Sequence, residues 1–247
     1  MSRPGRIKSD IGIYHVVLRG VNQQAIFHDE EDYKKLLYTF SDIKKVSGFT
    51  IYAYCIMENH CHFLIKEGDE GLDKIFIRFG PKYVYWYNRK YNRVGHLFQN
   101  RFWSEPIKNE KHFVAVLRYI HQNPIKAGIC ADISNYKWSS FREYLANPYI
   151  IDIYFTLGII SKNDLIKLHL DESNDKYLDC ESMTLRATDS QAKDIIQRIS
   201  NCCNVSEFQD LSSSRQRTLI KKIRYEGISI RQISRLTGIS KGVVERI

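Results

Sequence analysis

TIYAYCIMENHCHFLIK, residues 50–66, is the stretch on which the fold turns. Two apolar runs, Thr50 to Met57 and Cys61 to Lys66, flank Glu58, Asn59 and His60. That pattern fits two paired strands in a short hairpin or one long bent strand. Upstream, Ile13 to Arg19 is rich in β-branched residues and stops at Gly20, which marks a strand followed by a tight turn. Between them, Tyr33, Leu36, Leu37, Phe40, Ile43 and Val46 recur at spacings of three and four within Glu30 to Ser47. Acids lead this segment, lysines trail it and Gly48 follows, so it reads as an amphipathic helix with a C-terminal stop.

Downstream, Leu72 to Asn92 has a helical pattern interrupted by Gly80 and Pro81, which predicts a kink or two shorter helices. Its aromatics Tyr83, Tyr85, Trp86, Tyr87 and Tyr91 alternate with Lys82, Arg89, Lys90 and Arg93. Such a string can stack bases, but at helical spacing aromatic residues are more often core. Gly95 to Trp103 reads as a turn and strand. Glu110 to Gln122 reads as a helix ending near Asn123, because Pro124 disfavours helical geometry in the residue before it. The order strand, helix, strand pair, helix, strand, helix is that of an α+β domain, a ferredoxin-like antiparallel sheet with packed helices, over residues 1–147. Residues 148–247 carry helical segments separated by the polar stretch Asp171 to Asp175 and by Ser212 to Ser214, which predicts a small all-helical extension.

The 247 residues include 37 Lys and Arg against 28 Asp and Glu, a formal charge of +9 that suits a polyanionic partner such as nucleic acid. Met1 to Asp10 is polar and basic, and no run approaches the length that spans a bilayer, so the expected location is cytoplasmic with no membrane contact. Cys55, Cys61, Cys130, Cys180, Cys202 and Cys203 show no C-x-x-C spacing and read as reduced thiols.

In an extended chain His60 and His62 point to one face, about 7 Å apart along the backbone, where two imidazoles can share a cation or simply bond locally. On the helix before Pro124, the apolar stripe is Phe113, Val116, Leu117 and Ile120. Tyr119 projects roughly 110° from the middle of that stripe, and Asn123 lies one turn further on the same side. A tyrosine hydroxyl can cut a phosphodiester if the phenol loses its proton and a metal neutralises and aligns the phosphate. The same spacing also fits an ordinary half-exposed helical tyrosine.

Larger blocks add to these residues. Tyr14-His15-Val16-Val17 with Arg19-Gly20, then Met57-Glu58-Asn59-His60-Cys61-His62, resemble the opening blocks of single-tyrosine transposases. Gly95 to Phe102, Arg118 to Gly128 and Trp138-Ser139-Ser140 continue the match in order. The chain thus resembles the HUH superfamily, named for two histidines around a hydrophobic residue, and within it the REP-associated tyrosine transposase-like group, over residues 4–145. The resemblance implies a metal site of His60, His62 and Asn123 that takes Mg2+ or Mn2+. It also implies a Tyr119 nucleophile that forms a 5′-phosphotyrosine and frees a 3′-hydroxyl. The implied substrate is single-stranded DNA with hairpin structure, and the resemblance admits a homodimer. Glu58 stands where the family often has proline, and Gly80-Pro81 falls in what is usually a continuous helix. Places in these blocks make Arg19, Asn22, Arg101 and Lys126 candidate phosphate contacts. Lys126 could instead serve only to neutralise a helix C-terminus.

Near the C-terminus, Ile230, Ile233 and Leu236 form a helix stripe, Gly238 allows a turn, and Ser240 can cap a short second helix carrying Val243 and Val244. This is the pattern of a helix-turn-helix within about 212–247. It would set Lys241 and Arg246 near the major groove of duplex DNA and Arg231 or Arg235 near its backbone. A plain helical hairpin would look the same. The leading expectation is a transposase-type nickase. The alternatives are a noncatalytic DNA-binding regulator with the same fold and a zinc-dependent hydrolase using Glu58.

Overall fold

The computed structural model describes residues 7–99, 101–170, 189–202, 204–226 and 228–247. The stretch Asp171 to Asp175, Cys180 and Cys203 lie outside them. Strand β1 is Ile13–Arg19, and the 50–66 stretch resolves into a hairpin of β2, Thr50–Ile56, and β3, His60–Lys66. β2 and β3 pair antiparallel with Ile56 opposite Cys61, and the Met57 N–H donates to the His60 carbonyl at 2.8 Å to close the turn. β1 lies between β3 and β4, Trp103–Pro106, antiparallel to both, in the order β2-β3-β1-β4. This is the expected ferredoxin-like sheet. The last strand starts later than the sequence suggested: within Gly95 to Trp103, Phe98 makes an isolated bridge to Gly20. β4 ends at Pro106 on the sheet edge, where a missing N–H costs least.

Helix α1, Glu30–Ser47, begins at Asp29, whose carboxylate accepts from the Glu31 and Asp32 N–H groups, and ends at Gly48 in the left-handed region. Helix α2, Leu72–Lys90, runs through Gly80 and Pro81 as one helix, so of the two expected outcomes the division into two shorter helices does not occur. Ile77, whose carbonyl Pro81 cannot bond, is 70% exposed and Pro81 is exposed too, so water can satisfy that group. The two helices cover one sheet face through Phe40, Phe79 and Tyr83, with the Phe40 and Phe79 rings stacked at 4.4 Å. Of the aromatic string, Tyr83 and Tyr87 are core and Tyr85 is exposed.

Helix α3, Glu110–Lys126, packs against β2 and β3. It does not stop at Asn123 but continues through Pro124. The Ile120 carbonyl, which Pro124 has no N–H to reach, accepts instead from Asn123 Nδ2 at 3.4 Å. Three short helices follow: α4, Phe141–Leu145; α5, Tyr154–Ile159; and α6, Lys162–Leu170. Ile150, Ile151 and Leu165 join the same core as the sheet, and the Asp152 N–H donates to the Ile51 carbonyl at 2.8 Å. The first compact unit therefore extends past the expected boundary at 147, through the last described residue before the gap, Leu170.

A second unit contains α7, Asp189–Ser200; α8, Val205–Gln209; α9, Ser213–Tyr225; α10, Ile230–Thr237; and α11, Lys241–Glu245. Its core is Ile196, Phe208, Ile220, Ile223, Ile233 and Val244. Ser229 and Gln232 form a capping box on α10. Gly238 ends that helix at φ 70°, a left-handed conformation that glycine adopts without the strain a side chain would bring. Ser240 makes no side-chain cap on α11, contrary to expectation; its carbonyl accepts the Val243 and Val244 N–H groups. No helix among the described residues is long and apolar enough to cross a membrane.

Candidate active site

Strand register assembles the site. His60 stands opposite Arg19 and His62 opposite Val17 on β1, so alternation turns His15, Arg19, His60 and His62 to one face of the sheet. That face looks toward α3. His15 is the diagonal neighbour of His62, within reach for long side chains. Its Nε2 lies 3.0 Å from His62 Nδ1, with the rings stacked at 5.2 Å. His60 and His62 rings are 5.0 Å apart and nearly perpendicular. His60 Nδ1 is 2.6 Å from Asn59 Oδ1, and Asn59 Nδ2 donates to the Gln23 carbonyl at 3.1 Å, which anchors the pair to the loop after β1.

Tyr119 departs from the sequence expectation. It is 1% exposed, not half-exposed, because the side of α3 that looked free of the apolar stripe meets the histidine face of the sheet. Its ring makes edge contacts with both His15 and His62, each at 5.8 Å. Lys126, two turns on, holds its ammonium 4.6 Å from the centre of that ring. Asn123 is also buried, and its Nδ2 donates to the Tyr119 carbonyl at 2.9 Å, which leaves the amide oxygen as the atom turned from the helix backbone.

Burial controls the charge here. It holds the His15 imidazole down to about 3, with the charge of His112 adding to the effect. His62 is likewise pushed well below its usual value by burial and then by the neighbouring His60 and His15. Neutral imidazoles at physiological pH are what metal ligation requires. His62 Nε2 is buried and has no hydrogen-bond partner among the described residues, which fits a nitrogen whose partner is a cation. Among those residues no set of three or more His, Cys, Asp or Glu side chains is arranged to hold a metal ion together. Further ligands from them would have to be oxygens of another kind, such as the Asn123 amide. Two imidazole nitrogens and one amide oxygen leave the remaining positions of an octahedral shell to phosphate and water oxygens, which Mg2+ and Mn2+ favour.

The other expected contacts divide. Arg19 is buried beside His60, whereas Asn22 is exposed in the left-handed region just beyond β1. Arg101 is exposed and lines an apolar recess of about 260 Å³ with Phe76, Phe98 and Phe102, behind Leu18 on the opposite sheet face. In the second unit Arg231 and Lys241 are exposed, Arg235 is ion-paired with Asp189, and Arg246 Nε donates to the Gly242 carbonyl at 2.9 Å. Arg246 also lines a cleft with Arg217 and Lys221 of α9, two residues the sequence reading did not select. His15 and Asn59 were passed over as site residues as well. The signal for His15 was its even spacing from Arg19 on β1.

The antiparallel sheet thus presents His60 and His62 toward α3, which carries Tyr119. Residues 10–123 match the family model described as transposase IS200 like. The chain is 26% identical over 149 residues to the REP-associated tyrosine transposase of Escherichia coli K12, a match spanning 59% of this chain and 86% of that protein. A Haemophilus influenzae protein that carries the same name provisionally is 32% identical over 114 residues, 41% of this chain and 64% of that one. Among solved structures, a REP-associated tyrosine transposase bound to a REP hairpin superposes with a TM-score of 0.55 at 19% identity, covering 72% of this chain and 96% of that one. That likeness establishes the shared fold.

Proposed function

We propose that this chain is a transposase that nicks and rejoins single-stranded DNA at hairpin ends through Tyr119. The observation that carries the reading is the contact of the Tyr119 ring with His62, whose buried Nε2 has no partner among the described residues. In the attack, the Tyr119 oxygen forms a bond to the scissile phosphorus. The bond from phosphorus to the 3′ oxygen breaks, and that oxygen keeps the electron pair and takes a proton. The 5′ end is left on the tyrosine, and a 3′-hydroxyl can later reverse the step without a nucleotide cofactor. His60, His62 and Asn123 would hold Mg2+ or Mn2+, which when bound neutralises and aligns the phosphate. Lys126, whose ammonium lies 4.6 Å from the centre of the Tyr119 ring, is the proposed phosphate contact beside the nucleophile. Asn22, exposed just beyond β1, is the proposed DNA-backbone contact nearest the site; Arg19 is buried beside His60, and Arg101 could reach DNA only from the opposite sheet face. The relative solved with a hairpin supports hairpin DNA as the substrate class. Helices α10 and α11, with Arg231, Arg235, Lys241 and Arg246, are the proposed duplex-binding element.

The test is incubation of the protein with labelled single-stranded hairpins and Mn2+ or Mg2+, followed by a denaturing gel. A metal-dependent covalent band that is absent in Tyr119→Phe is expected. Tight hairpin binding without such a band would replace the enzyme reading with that of a noncatalytic regulator.

A further inference from the structure

The contact between His15 and His62 has one proton to share, and its position decides what His62 can do. If His62 Nδ1 carries it, His15 accepts through Nε2, and His62 Nε2 is a bare lone pair able to hold a cation. If His15 Nε2 carries it, a neutral His62 must be protonated on Nε2, and that nitrogen cannot ligate. Neither His62 Nε2 nor His15 Nδ1 has a hydrogen-bond partner among the described residues. Each arrangement therefore leaves one buried N–H and one buried lone pair unmatched, so the rings alone give little preference. A cation on His62 breaks the tie, because only the first arrangement accepts it.

We propose that His15 is the positioning residue of the metal site: by accepting the Nδ1 proton of His62 it holds that ring in the ligating tautomer and orientation. This rests on the metal reading above. The geometry leaves His15 little freedom for another role. It is fully buried on the central strand, stacked on His62 at 5.2 Å and closed on its edge by Tyr119 at 5.8 Å. The second ligand follows the same rule, since Asn59 Oδ1 lies 2.6 Å from His60 Nδ1 and accepts its proton when His60 ligates through Nε2. A carbonyl and an imidazole thus do for two ligands what outer partners commonly do for metal-bound histidines. A histidine kept only for packing would be replaceable by another ring of similar size.

The experiment compares full-length wild type, His15→Phe, His15→Gln and His62→Ala in Mn2+ titrations followed by the electron paramagnetic resonance signal of free Mn2+. His15→Phe should weaken Mn2+ binding about 10–100-fold. His15→Gln, whose amide oxygen can accept the same proton, should recover most of it. Wild-type affinity in His15→Phe, with binding lost in His62→Ala, would overturn the proposal and leave the metal reading standing. Wild type binding no better than His62→Ala would sink both. If His15→Phe does not fold, ring nitrogen NMR of the Mg2+-saturated wild type decides: a proton on His62 Nδ1 supports the proposal, and one on Nε2 refutes it.

Discussion

Lys126 and Tyr119 are seven residues apart on α3, two turns along one face, and the lysine ammonium lies 4.6 Å from the centre of the tyrosine ring. A cation over an aromatic ring contributes about 0.5–2 kcal/mol. If the same energy is gained on the charge that develops at the phenolic oxygen in the transition state, Lys126→Met, which keeps the apolar stem, should slow formation of the covalent adduct about 2- to 30-fold in single-turnover assays. Lys126→Arg should retain most of the rate. A role confined to the helix terminus predicts an unchanged rate with a stability loss of about 0.3–1 kcal/mol. The i, i+7 spacing was legible in the sequence, but the burial of Tyr119 was not. A helical wheel weighs only apolar residues, and the surface that covers this tyrosine is made of histidines from two other strands.

At the scale of elements, α6 docks on α3 through two neutral histidines. His121 Nδ1 lies 2.9 Å from His169 Nε2, His121 Nε2 lies 2.8 Å from the Ser140 hydroxyl, and the His169 Nδ1–H donates to the Leu165 carbonyl at 2.7 Å. Burial holds His169 down to about 4 and His121 well below its usual value. Between about pH 6.5 and 4 the unfolded chain binds protons at these sites that the folded one refuses, so stability is full above 6.5 and falls as the pH drops. Each proton steepens the loss by about 1.4 kcal/mol per pH unit. The urea midpoint should fall more between pH 6.5 and 4.5 in wild type than in His121→Gln/His169→Gln; equal slopes would exclude the pair as the cause. In α2 the effect runs the other way. Gly80 has no atom within 4 Å of an added Cβ, and Pro81 faces solvent. Gly80→Ala should stabilise by about 1 kcal/mol and Pro81→Ala by about 1–3 kcal/mol, read from denaturant midpoints. The sequence announced both residues as breakers. It could not announce that tertiary contacts along Phe76, Phe79 and Tyr83 would hold the helix together across them.

For the whole molecule, the boundary matters most. Ile150, Ile151 and Leu165 are buried in the sheet's core, so a chain ending at Asn147 exposes a surface whose cover is worth on the order of 5–9 kcal/mol. Ending at Asn147 should leave little folded protein, whereas ending at Leu170 should fold and form the Tyr119 adduct at the wild-type rate. Thermal melts of the two truncations, with the hairpin assay on whichever folds, check this. By itself the sequence determined the strand and helix order of the first unit, the two apolar runs of residues 50–66 and the stop of α1 at Gly48, and it nominated His60, His62, Tyr119 and Asn123. Periodicity, end signals and family-like blocks are local, and they survive in one dimension. Only the tertiary structure decided that β2 and β3 form a hairpin, that His15 meets His62, that α2 and α3 pass through their prolines, and that residues 150–170 belong to the first unit. Those outcomes depend on register, on water or side chains satisfying a carbonyl, and on which apolar faces find each other. None of these is a property of a segment taken alone.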